Sequence, residues 1–185
     1  MPDWAMEFRY NNGQAMERSK KKFTEAGLAF RKAFGRDYST LIEEYRCEDA
    51  DALLIIAGSA AGTAKVAVDH MRERGKKVGM VKLRAFRPFP GEELRKLANR
   101  VHTIGVFDRS YVHGEFGPIH TEVKSSVYTL GGDVKVKGYI GGLGGRDITE
   151  ADLERILDDL LVLSTKNKID REVQWVALRD GSLRW

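Results

Sequence analysis

Five consecutive apolar residues, Leu53-Leu54-Ile55-Ile56-Ala57, constrain the fold of this chain more than any other feature. A strand wetted on one face alternates apolar with polar residues, whereas an unbroken run marks a strand covered on both faces. The run is bounded by Gly58-Ser59-Ala60-Ala61-Gly62-Thr63 and followed by helical spacing over 63–74, with Val66, Ala67 and Met71 expected inward. Gly75 stands where a helix C-terminus favours glycine.

The same strand, loop and helix unit recurs. A second strand is predicted over 78–83, then a helix over 91–99 after the proline-broken turn Arg87-Pro88-Phe89-Pro90. A third strand follows at 103–107 and a helix at 119–128. Gly131-Gly132 then leads into a fourth strand at 134–140. Thr149 with Asp152 three residues later is an acidic capping box, opening a helix over 150–163, and 173–178 supplies a last short strand. Repeated units of this length predict a three-layer α/β/α domain over 50–185 with a mostly parallel sheet and right-handed crossovers.

Ahead of it, residues 1–49 form a helical connector arm. Met16, Phe23, Ala26, Phe30, Ala33 and Phe34 recur at helical spacing between 13 and 34, and Gly35 ends the pattern. Such a helix has one apolar stripe to bury, against the following domain or against a partner chain. A short helical stretch is expected at 40–45 and a charged, exposed link at 46–51 that carries Cys47.

Charge and cysteine content exclude several function classes. Charged residues make up 31% of the chain with both signs interspersed, and the net charge is only +4. The basic stretch Ser19-Lys20-Lys21-Lys22 lacks interleaved aromatics and is a solvated helix face, so no nucleic-acid partner is expected. Met1-Pro2-Asp3-Trp4 has neither the basic nor the apolar region of a leader, and no run is long enough to span a bilayer, which points to a cytoplasmic protein with no membrane partner. Cys47 is the one cysteine, which excludes an intrachain disulfide and any cluster held by four thiolates of this chain.

Ligands of parallel α/β sheets bind beyond the carboxyl ends of the strands, which places the loops at 58–62, 84–90, 108–118 and 141–147 on the expected functional rim. Gly58, Ser59 and Gly62 form a strand-to-helix turn that either cradles an anion or simply needs small residues. The turn is neither G-x-G-x-x-G nor a P-loop. Arg84, Arg87, Arg109 and Arg146 fall at strand ends, where they either converge on an anion or pair with Asp108, Glu115 and Asp147. Gly144, with its neighbours in Gly141-Gly142-Leu143-Gly144-Gly145, indicates unusual dihedrals or close approach of another backbone. Interface or anion-contact candidates are therefore Gly58, Ser59, Gly62, Arg84, Arg87, Asp108, Arg109, Gly144, Arg146 and Asp147. Ser110, His113 and Asp108 lie too close along one loop to form a triad, and His70, His102, His113 and His120 lack metal-ligand spacing, so no catalytic, cofactor or metal residue is assigned.

Taken in order, Tyr45-Arg46-Cys47-Glu48-Asp49-Ala50-Asp51, Gly58 to Thr63, Arg84-Ala85-Phe86-Arg87-Pro88-Phe89-Pro90, Val106-Phe107-Asp108-Arg109-Ser110, Gly117-Pro118-Ile119-His120-Thr121-Glu122-Val123 and Gly142-Leu143-Gly144-Gly145-Arg146-Asp147 form a series. It resembles the C-terminal region, core domain II, of the alpha subunit of pyruvate:ferredoxin oxidoreductase. Phe34-Gly35-Arg36-Asp37-Tyr38 resembles that family's connector. The resemblance implies a fold like the transketolase C-terminal domain. It also implies membership of an enzyme that converts a 2-oxoacid, pyruvate foremost, and coenzyme A to acyl-coenzyme A and carbon dioxide, reducing ferredoxin. Thiamine diphosphate, Mg²⁺ and [4Fe-4S] clusters are implied for the complete enzyme and none for this chain alone. The implied partners are the thiamine domain of the alpha subunit, the beta, gamma and delta parts, ferredoxin through the whole complex, and further copies of the chain. G-D-G followed by asparagine, the diphosphate signature of the beta subunit, is absent, and Asp180-Gly181 has too few residues after it. The chain is expected to be structural and inactive in isolation. A free-standing nucleotide- or anion-binding α/β module is the alternative.

Overall fold

A computed structural model describes residues 2–128 and 134–179; Gly131-Gly132 and Asp180-Gly181 lie outside them. The chain divides into two compact units, Met1–Glu43 with Arg84–Pro90, and Glu44–Leu83 with Gly91–Trp185.

The first unit is dominated by α1, Pro2–Phe34, a helix of 33 residues. It starts well before the expected Gly13, which lies inside the helix in open space. Trp4, Phe8 and Phe34 are each more than 60% exposed, so the apolar stripe is largely uncovered. Gly27 is the point of closest approach: a Cβ there would lie 2.4 Å from the Cα of Ser39, so the chain after the helix folds back against this residue. Gly35, at φ 73°, ends the helix with its amide bonded to the Arg31 carbonyl. Phe30 then packs edge-on against Tyr38 at a centroid distance of 5.5 Å.

The strands are β1 Ile42–Tyr45, β2 Ala52–Ala57, β3 Val78–Leu83, β4 Thr103–Asp108, β5 Lys135–Ile140 and β6 Val173–Trp175. They form one six-stranded sheet in the order β1-β3-β2-β4-β5-β6, with β2–β3, β2–β4, β4–β5 and β5–β6 all parallel. The stretch expected to be helical at 40–45 is therefore a strand. Its two glutamates favour helix locally, but the segment takes the edge position of the sheet beside β3, with Ile42 buried and Glu44 exposed.

In the second unit the helices are α2 Ala60–Glu73, α3 Gly91–Ala98, α4 Pro118–Tyr128 and α5 Glu150–Ser164. Successive residues of β2 point to opposite faces, and both faces are buried. Ala52, Leu54 and Ile56 join Met80, Phe107 and Tyr139 in a core completed by Ala64, Val68 and Met71 of α2 and Leu153, Ile156, Leu157 and Leu160 of α5. Val66 of α2, expected inward, is 39% exposed, because the burying stripe runs through Ala64, Ala67, Val68 and Met71. The opposite face is covered by α4, which packs on β4 and β5 and against α3. Gly105 admits α5 closely, since a Cβ there would meet Leu160 Cδ1 at 2.5 Å. The capping box predicted at α5 is present, with Thr149 Oγ1 accepting from the Asp152 amide and Asp152 Oδ2 accepting from the Thr149 amide at 3.0 Å.

Candidate functional site

At the carboxyl ends of β2, β4 and β5, three loops of the second unit come together. Gly58 adopts φ 73°, which turns the chain from β2 into α2 and which residues with a side chain rarely adopt. Ser59 follows at the α2 N-terminus without a side-chain capping bond, and Gly62 in the first turn is exposed. Arg109, one residue beyond β4, directs its guanidinium to Ser59 Oγ at 3.5 Å and to the Gly142 carbonyl at 3.4 Å. One cation thus bridges the turn after β2 and the turn after β5, through long and weak contacts.

The glycine-rich loop after β5 combines both reasons for glycine. Gly142, Gly144 and Gly145 have φ of 71°, 62° and 81°. Gly141 is enclosed instead, since a Cβ there would lie 3.0 Å from Ile148 and 3.2 Å from the Phe107 ring. Arg146 anchors the loop by donating to the Ala177 carbonyl at 2.6 Å, and Asp147 beside it is exposed.

Asp108 has a different role from its neighbours. It is 1% exposed, and its carboxylate accepts hydrogen bonds from the Ile119 amide at 3.0 Å and the His120 amide at 2.9 Å. These are orphan donors of the first turn of α4, so Asp108 caps that helix from the end of β4. Burial pushes the carboxyl up from its ordinary value while the two amides oppose the shift. Asp108, one of the acids open to the strand-end arginines, offers its carboxylate to the α4 amides instead, while the Arg109 guanidinium lies out across the loops.

Arg84 and Arg87 belong to the first unit. Arg84 donates to Glu43 Oε2 at 2.9 Å and to Thr40 Oγ1 at 3.1 Å, and its guanidinium stacks over Tyr38. Arg87 lies over the Phe86 ring at 4.4 Å and donates to the Phe86 carbonyl. Of the strand-end arginines, Arg109 and Arg146 therefore share the rim of the second unit.

Two features escaped the sequence reading. His120 is fully buried, packed edge-on against Phe116, with neither ring nitrogen meeting a hydrogen-bond partner in good geometry among the described residues. Burial pushes its pKa down, although the Val136 backbone and Glu172 partly offset this, so the neutral ring is favoured. The second is an aromatic cluster in which Tyr111 lies 5.0 Å from the Trp175 ring and 5.6 Å from His113. No local motif marks either feature, since each depends on which strands become neighbours.

Cys47, expected in an exposed link, is 1% exposed. Its thiol contacts the carbonyls of Tyr45 and Met80, and burial pushes its pKa up to about 11. One buried thiol cannot hold a [4Fe-4S] cluster. Among the described residues no group of three or more His, Cys, Asp and Glu side chains could hold a metal ion. No helix among the described residues is long and apolar enough to cross a membrane.

Comparison with known proteins gives one consistent answer. The chain is 44% identical over 173 residues to ketoisovalerate oxidoreductase subunit VorA of Pyrococcus abyssi, covering 94% of this chain and 44% of that one. It is 41% identical over 181 residues to pyruvate synthase subunit PorA of Methanothermobacter thermautotrophicus, covering 98% and 44%. The chain thus spans less than half the length of these relatives. Among solved structures, a split-gene transketolase in an inactive beta4 tetramer superposes with a TM-score of 0.52 at 15% identity, covering 63% of this chain and 40% of that one. A 2-oxoglutarate:ferredoxin oxidoreductase from Magnetococcus marinus gives 0.51 at 16%, covering 72% and 21%. Both share the fold. The family model for pyruvate:ferredoxin oxidoreductase core domain II matches residues 50–153, from the start of β2 into α5, and the chain belongs to that family.

Proposed function

We propose that this chain is an assembly domain of a 2-oxoacid:ferredoxin oxidoreductase, the part of its alpha subunit that packs against the thiamine-binding domains. The carrying observation is the alignment of 94–98% of the chain with VorA and PorA subunits while covering 44% of each. The reaction is oxidative decarboxylation of a 2-oxoacid with transfer of the acyl group to coenzyme A and of two electrons to ferredoxin. Thiamine diphosphate with Mg²⁺ supplies carbanion stabilisation and [4Fe-4S] clusters carry the electrons, all bound on other polypeptide. This chain performs no chemical step.

Its own residues do mechanical work. Asp108 fixes α4, Arg109 ties together the turns at Ser59 and Gly142, and Arg146 pins the glycine-rich loop. The rim formed by Gly58, Ser59, Gly62, Arg109, Gly144, Arg146 and Asp147 is the surface we assign to contact with the rest of the enzyme, and Arg84 and Arg87 a contact of the first unit. The substrate is a 2-oxoacid; pyruvate and 2-oxoisovalerate are both represented among relatives of similar identity.

Anaerobic purification of the affinity-tagged chain from its own cells tests this. The expected outcome is co-purification of subunits containing thiamine diphosphate and iron-sulfur clusters, with 2-oxoacid- and coenzyme A-dependent reduction of a viologen dye. A chain that purifies alone, and that binds a nucleotide saturably at the Ser59 turn, would replace this reading with that of a free-standing nucleotide-binding module.

A further inference from the structure

A second polar site lies away from the rim, in a cleft of about 360 Å³ between α5, β5, β6 and the segment at 166–171. Of its polar lining residues only Lys137 falls within the family-matched segment 50–153.

The inner wall is a closed network. Lys137 is 7% exposed and its Nζ lies 2.5 Å from Asp159 Oδ2, which also accepts from the buried Tyr139 hydroxyl at 2.5 Å. Two donors on one carboxylate oxygen neutralise the acid and occupy the lysine, so this pair has no charge to offer a ligand. Beside it lies Gln174, 4% exposed, whose Nε2 has no hydrogen-bond partner among the described residues. An amide nitrogen only donates, and a buried unpartnered donor is costly enough that native structures rarely leave one without a reason.

The outer wall is cationic. Lys166 is held by Asp170 at 2.7 Å, an exposed i,i+4 pair that exchanges readily for another anion. Arg171 adds a second cation to this wall. The C-terminal end of α5, whose dipole would repel an anion, is already capped, because Lys135 Nζ donates to the carbonyls of Ser164 at 3.3 Å and Lys166 at 2.7 Å. What the cleft can offer is the Gln174 amide donor and, once Asp170 is exchanged, the Lys166 ammonium.

We propose that this cleft binds a small oxyanion, a phosphate or carboxylate group, which accepts from Gln174 Nε2 and displaces Asp170 from Lys166. The site is independent of the assembly role, because its donors lie on β6 and the 166–171 segment rather than on the carboxyl-end loops.

Thermal unfolding of the full chain, at matched ionic strength, tests it. Inorganic phosphate and succinate are titrated up to about 10 mM against chloride, with Gln174→Leu and Lys166→Glu variants in parallel. At a tenfold excess over Kd, either phosphate or succinate should raise Tm by about 3–5 °C over chloride. Which of them does so distinguishes phosphate from carboxylate recognition. The shift should vanish in both variants. General salting-in or exclusion effects act equally on all three proteins, so a shift retained in the variants overturns the proposal, as does no shift beyond chloride. Lys166→Glu, on an exposed side chain, decides the matter if Gln174→Leu does not fold. A phosphate- or succinate-dependent movement of the Gln174 side-chain amide resonances is the direct readout.

Discussion

Replacing Asp108 with alanine should destabilise the chain by about 2–4 kcal/mol. The carboxylate accepts from two first-turn amides of α4, at 3.0 and 2.9 Å, in a buried position. Hydrogen bonds to a charged group contribute about 1.5–3 kcal/mol each, and the cost of burying the carboxylate offsets part of the sum. Asp108→Asn keeps one acceptor oxygen and should lose roughly half as much. Gly117 provides an internal check, because a Cβ there would lie 2.2 Å from Asp108 Oδ2. Gly117→Ala alone should cost about 1–3 kcal/mol by displacing the carboxylate from its amides. Once Asp108 is alanine the conflict with the carboxylate is gone, while the Cβ of residue 108, 2.5 Å from a Gly117 Cβ, still has to give way, so the double variant should cost less than the sum of the singles by about 1 kcal/mol.

The sign of the pH dependence follows from the raised carboxyl pKa. The native state holds the proton more tightly than the unfolded chain, so the contribution of Asp108 is fully present below the unfolded value and falls as pH rises through the native one. The loss caused by Asp108→Ala should therefore be larger at pH 4 than at pH 7. Urea denaturation of the unsubstituted chain and the four variants, followed by far-ultraviolet circular dichroism, gives all of these quantities. Strict additivity of Asp108→Ala and Gly117→Ala, or a loss below about 0.5 kcal/mol for Asp108→Ala, would refute the capping role.

Burial pushes the His120 pKa down, so the folded state takes up a proton on this ring less readily than the unfolded chain does below its ordinary value of 6.5. Stability should fall as pH drops below about 6.5, and His120→Phe should flatten that slope in urea titrations between pH 7 and 5. Thr149→Ala breaks the capping box of α5 and should cost about 1 kcal/mol in the same assay, with Thr149→Ser close to neutral. The Cys47 thiol, buried and pushed up to about 11, should resist an aromatic disulfide reagent at pH 8 in native protein and react at once in 6 M guanidinium.

The fold was legible because its decisive signals are local. Leu53 to Ala57 admits no wet face, β3 lies at 78–83 as the apolar run predicts, and Thr149 and Asp152 declare the start of α5 three residues apart. The errors arose where tertiary pairing outweighed local preference. Glu43 and Glu44 favour helix, yet they lie in a sheet-edge strand; Val66 fits a helical stripe, yet α2 turns its alanines to the core. A charged neighbourhood suggested an exposed Cys47, yet the residue folds inward onto the Met80 carbonyl.

Residue types by themselves determined that this chain is a parallel α/β domain with one cysteine and no nucleotide fingerprint. Only the tertiary structure decided what its polar residues do. Asp108 and Arg109 are adjacent in sequence, but the carboxylate at the end of β4 caps α4 while the guanidinium reaches the turns after β2 and β5, the neighbours of β4 in the sheet. Gln174 and Lys137 lie far apart along the chain and share a cleft because β6 joins the sheet beside β5. Strand order, which no local pattern encodes, set both outcomes.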